Sequence, residues 1–163
     1  YSSAASDVYK RQAYRLNRPA YSQPECITQK QNHMKTKEEI RHYLDTRFSP
    51  SEDDMVQIVR NDFDRILNSA ASCALITVEG AMPVLAERLR TELEALHTGA
   101  DLDVIVKVSY HPASEISFDD LCSLLTVIHE FAPQVNIVWG CGTDAKLAET
   151  DYSILLLIGT SAE

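Results

Sequence analysis

The apolar positions of this chain change period several times, and each change marks an element. From Thr36, residues Ile40, Tyr43, Leu44 and Phe48 recur at helical spacing and predict a helix that stops at Ser49-Pro50. Ser51 opens a second predicted helix, running to Asn68: Ser51 and Asp54 approximate a capping box, and Met55, Ile58, Val59, Phe63, Ile66 and Leu67 form its stripe. The period then shortens at Cys73 to Val78, an apolar run of strand formers ended by Glu79-Gly80. Ala81 to His97 returns to helical spacing and meets a stop at Thr98-Gly99. Val104, Val106 and Val108 alternate with Ile105, Lys107 and Ser109 in a strand over Leu102 to Tyr110. Ser117 caps a helix with Phe118, Leu121, Leu124, Leu125, Ile128 and Phe131 expected inside, and Pro133 ends it. Val135 to Trp139 reads as a strand, Gly140 to Asp151 as a polar turn region, and Ser153 to Ile158 as a last apolar strand.

The resulting order, α-α-β-α-β-α-β-β, predicts an α/β (α+β) fold. The expected form is a two-layer sandwich: a four-stranded mixed sheet with helices on one face, preceded by two N-terminal helices. A long loop allows the final two strands to pair as an antiparallel hairpin. The continuous Ile154 to Ile158 run places its strand at the centre of the sheet.

Charge divides the chain. Up to residue 33 there are five basic and two acidic residues; from Met34 onward there are ten basic and twenty-two acidic. That shift, at an internal Met, leads us to expect translation to start at Met34, with 13–33 a disordered leader or upstream read-through. Residues 2–12 resemble the in-frame translation of a transposase adapter used in shotgun DNA libraries, which would make the sequence a metagenomic read. The expected organisation is then an adapter artefact over 1–12, the leader over 13–33, an N-terminal helix over 34–50 and a sandwich domain over 51–163.

The acidic body argues against nucleic acid and anionic membrane as partners, since phosphates would be repelled. No apolar run approaches the roughly 18 residues a bilayer span needs. Cys26, Cys73, Cys122 and Cys141 show no paired spacing, and the last three sit in apolar stretches, as expected of buried thiols in a cytoplasmic protein.

Candidate chemistry is sparse. Gly80, Gly99, Gly140, Gly142 and Gly159 are scattered, and only Gly140-Cys141-Gly142 is clustered, between strands rather than before a helix, so it reads as a turn and not a phosphate loop. His42, His97, His111 and His129 lack metal-ligand spacing. Cys141 with His111 has the residue types of a nucleophile pair, supported by residue type alone. Glu52-Asp53-Asp54 and Asp119-Asp120 read as charged first turns. No cofactor and no metal site is expected.

The second half resembles the C-terminal domain of FtsZ, the bacterial tubulin homologue. The resemblance rests on the strand Val104–Ser109 and the helix Phe118–Phe131 with Ile128-His129-Glu130-Phe131. It continues through Asn136-Ile137-Val138-Trp139-Gly140 with Asp144, and the strand Ile154–Thr160. In element order it extends back to Met55. It implies a sandwich domain that acts in cell division or filament assembly. The ending Gly159-Thr160-Ser161 stands where the family has Ala-Thr-Gly. Nothing in the chain resembles the family's Gly-rich phosphate loop. The family's activating segment, Asn-x-Asp-x-x-Asp, precedes the first helix of that domain and completes a neighbouring subunit's GTP site. Asn61-Asp62-Phe63-Asp64 is reminiscent but out of register, because counting from Asn61 the acids belong at Phe63 and Ile66. Asp62 and Asp64 are therefore the in-trans catalytic candidates, against a plainer role as solvated helix acids.

Three functions follow as expectations. The first is a non-catalytic FtsZ-like domain whose partner is an FtsZ-like protein or a second copy of itself. The second is a fragment of a longer FtsZ-like GTPase, against which Pro50 counts, since it divides the region where the family's central helix leads into the activating segment. The third is a small-molecule-binding or chorismate-mutase-like two-layer domain, on fold analogy alone.

Overall fold

The strand furthest along the chain occupies the middle of the sheet. The computed structural model describes residues 32–50, 53–96 and 101–161. Among them are strands β1 (Asn32–Met34), β2 (Ser72–Gly80), β3 (Leu102–Tyr110), β4 (Asn136–Thr143) and β5 (Tyr152–Thr160). Four helices accompany them: α1 (Lys37–Arg47), α2 (Arg60–Ser69), α3 (Met82–Leu96) and α4 (Phe118–Phe131). The five strands form one mixed α+β sheet in the order β1-β2-β5-β3-β4. β5 runs antiparallel to β2 and to β3, with Leu156 opposite Ile76 on one side and Val106 on the other, while β3 and β4 are parallel.

Local chemistry sets the helix starts. Thr36 caps α1 reciprocally: its Oγ1 accepts from Glu39 N at 3.2 Å, and Glu39 Oε2 accepts from Thr36 N at 3.3 Å. Ser117 Oγ accepts from Asp120 N at 3.1 Å and starts α4 where the sequence predicts.

Alternation along the strands then divides the core in two. On one face Ile76, Val104, Val106, Val108, Ile154, Leu156 and Ile158 pack against Leu85, Leu89 and Leu93 of α3 and Leu121, Leu124 and Ile128 of α4. On the other, Leu75, Ile105 and Leu157 meet Ile40 and Leu44 of α1 and Phe63, Ile66 and Leu67 of α2. The sheet therefore lies between two helical layers.

Several expectations are corrected. The sheet has five strands, not four, because a three-residue edge strand is too short to show a period; its Asn32 and His33 pair with Thr77 and Ile76. Helices cover both faces, not one. The reason is legible in β5, whose odd and even positions are both apolar, as a strand buried on both sides requires. β4 and β5 form no hairpin, for β5 passes beyond β3 to pair between β2 and β3. The predicted helix from Ser51 to Asn68 is shortened to Arg60–Ser69. Ser51, its expected cap, lies outside the described residues, as do Cys26, Glu52, His97 and the Thr98-Gly99 stop. Phe118, expected inside, is 76% exposed. The central position of the Ile154–Ile158 run and the limits of β3 and α4 match the sequence reading.

Candidate functional site

Where the sequence predicts a turn, Gly140-Cys141-Gly142 continues β4, and the two glycines make a bare strip of backbone. Residues Asp54 to Ile58 lie against that strip. Val56 N donates to Cys141 O at 3.2 Å and Cys141 N donates to Val56 O at 3.1 Å, an isolated antiparallel bridge on the outer edge of β4. No larger residue fits beneath it. A Cβ on Gly140 would stand 2.6 Å from Val56 O, and one on Gly142 would stand 1.6 Å from Asp54 Oδ1. This contact explains why the predicted helix fails to form before Arg60. Met55 and Val59, which would belong to a buried stripe, are instead 72% and 43% exposed, while Ile58 is fully buried. Tertiary pairing has overridden the helical period.

Asp54 anchors the upper end. Lys107 Nζ, from the middle of β3, donates to Asp54 Oδ2 at 3.0 Å, and the two side chains are 10% and 0% exposed. The ammonium also stands 5.0 Å from the centre of the Phe48 ring, which meets Phe63 edge-on at 4.8 Å between centroids. One buried cation thus joins the end of α1, the 54–58 segment, β3 and, through the two rings, α2. Such a pair contributes little net stability against an apolar replacement, yet losing one partner strands a buried charge.

Burial pushes the Cys141 thiol above its ordinary value, and the nearby Asp54 carboxylate adds to the effect while a hydrogen bond with the Val56 backbone opposes it. Burial likewise raises Tyr110, with Cys141, Asp54 and Glu115 adding to it. A thiol held protonated is not an activated nucleophile. No hydrogen bond links Cys141 to His111, whose Nδ1 accepts from Ala113 N at 3.1 Å in the loop after β3. The described cysteines are all free; Cys73 and Cys141 are buried and Cys122 is half-buried.

The two carboxylates singled out from the sequence sit in the opening turns of α2. They are not mid-helix, as a start at Ser51 would make them. Asp62 Oδ2 accepts from Val59 N at 2.9 Å, which satisfies a backbone donor at the helix start. Asp64 pairs with Arg60, whose Nη2 also reaches Asp45 Oδ1 at 3.0 Å. Neither is brought to Asp54 or to Cys141 by a hydrogen bond.

Clefts occur elsewhere. One of ≈ 300 Å³ between α3 and α4 is lined by Arg90, Leu93, Glu94, Val127, Glu130 and Phe131. Another, of ≈ 230 Å³, lies by Lys35, Ser72, Cys73 and Thr160 at the far end of β2. Among the described residues no group of three or more His, Cys, Asp or Glu is placed to hold a metal ion. None of the described helices is long and apolar enough to cross a membrane.

Sequence reasoning missed the Asp54–Lys107 pair. Its signal was Lys107 itself, a cation at an inward position of a strand whose other residues from Val104 to Val108 are apolar. Compared with known protein-family models the chain matches none, and no curated protein matches it either.

Proposed function

We propose that the chain is a non-catalytic domain of the FtsZ C-terminal type, acting through protein–protein contact with an FtsZ-like protein or a second copy of itself. The observation that carries this reading is the composition and exposure of the segment leading into α2. With the helix beginning at Arg60, Asp62 falls in its first turn. A motif of the form Asn-x-Asp-x-x-Asp ending there would need Asn at position 57 and Asp at position 59; the chain has Gln57 and Val59. The acids that do occur nearby are engaged in the fold: Asp54 with Lys107, Asp62 with the Val59 amide and Asp64 with Arg60. In place of a polarising carboxylate the segment presents apolar surface, Met55 and Val59. The element order after α2, strand-helix-strand-helix-strand-strand, also accords with the resemblance.

Sedimentation of the full chain with FtsZ and GTP tests the proposal. The chain is expected to enter the polymer pellet or to reduce it, and Met55→Ser with Val59→Ser to abolish the effect while leaving the far-UV circular dichroism unchanged. Absence of both co-sedimentation and self-association would refute it.

A further inference from the structure

We infer that Asp54–Ile58 is a strap able to open by itself, without separation of the sheet, and that the Asp54–Lys107 pair is its latch. The inference is independent of any partner. The strap joins the sheet through an isolated bridge, whereas β5 is held by continuous ladders on both sides. It seats on Gly140 and Gly142, where β4 carries no side chains, while Val56 packs against the core that includes Cys141. Its lower end is fixed by fully buried Ile58 just before α2, while Met55 faces solvent, which makes Ile58 the pivot and the Asp54 end the part that lifts. Opening leaves Lys107 beside the Phe48 ring, 5.0 Å from its centre, and lets water reach the ammonium in place of the carboxylate. A local opening of this kind belongs to the low-energy end of native-state fluctuations.

The consequence is an uncovered edge. Because successive residues of a strand turn their N–H and C=O groups to opposite neighbours, Cys141 faces the strap while Gly140 and Gly142 face β3. With the strap lifted, the outer edge of β4 runs open through Cys141. It then offers the pairing groups that an added strand would need.

That geometry supplies the test, amide hydrogen exchange of the full chain read residue by residue by NMR. The Cys141 amide reports strap opening, and the Gly142 amide reports separation of β3 from β4. After correction for intrinsic rates, Cys141 is expected to exchange at least about 10-fold faster than Gly142 and than Leu156 of β5. Asp54→Asn is expected to accelerate Cys141 by a further factor of about 10 and to keep it the fastest of the three amides. Equal protection of Cys141 and Gly142 in the unaltered chain would overturn the inference, with no variant needed. So would an Asp54→Asn variant in which Cys141 exchanges no faster than in the unaltered chain.

Discussion

Replacing Gly142 by Ala adds a single methyl at the most crowded of the described glycines. The new Cβ would lie 1.6 Å from Asp54 Oδ1 and 2.3 Å from its Cγ. Ordinary contact between such atoms needs about 3.5 Å, so the carboxylate must retreat by roughly 2 Å. A pair held at 3.0 Å does not survive that movement. Breaking a buried ion pair from one side costs about 3–5 kcal/mol. Lifting the upper strap returns the carboxylate to water and relieves part of this cost, leaving an expected loss of about 3 kcal/mol. For a chain of this size that is a fall of roughly 6–12 °C in Tm. Urea denaturation followed by the fluorescence of Trp139, the single tryptophan and a neighbour on β4, gives the loss directly. A Gly142→Ala variant within about 0.5 kcal/mol of the unaltered chain would refute the reasoning, because it would mean that the strap does not press on β4.

The two-sided burial of β5 predicts that Leu156→Ala and Leu157→Ala, which face opposite helical layers, each cost about 2–5 kcal/mol; a mild effect of Leu157→Ala in urea denaturation would refute the layer formed by α1 and α2. Ser117→Ala should cost about 1 kcal/mol through loss of the cap on α4, measured the same way. Burial raises the pKa of Cys73, Cys141, Tyr43 and Tyr110, so the folded chain holds these protons more tightly than the unfolded one. Stability from this source is full below the ordinary thiol value of 9.0 and is lost as pH rises beyond it. Thermal melts across that range should show the decline, and a flat profile would count against these groups being buried in the folded state.

Much of the fold was legible because most elements carry their own local signals. β3 and α4 have alternation or helical spacing together with a capping Ser or a terminating Pro, and their limits follow. Position within the sheet was partly legible: a run apolar at every residue, Ile154 to Ile158, belongs at the centre. The same run also implied a second helical layer, which a reading with helices on one face does not supply. What could not be read locally were the contacts that join distant segments. Ile58 and Val59 fit a helical stripe as well as they fit an extended strap, and only Gly140 and Gly142, far along the chain, decide between them. Asp54 reads as a first-turn acid until Lys107 is placed opposite it. The candidate site depended on just such pairings, so its parts were visible while its assembly was not.

Synthesis proceeds from β2 toward β5, yet Ser72 finds its sheet partner only at Thr160. On the ribosome, β2 and β3 must therefore wait with unpaired flanks until the intervening strand emerges, since neither borders the other. Joining of the two halves of the sheet therefore waits on contacts distant in sequence, a topology that slows folding. Loss of even the closing nine-residue strand would leave two half-sheets with nothing to join them, rather than a slightly smaller protein.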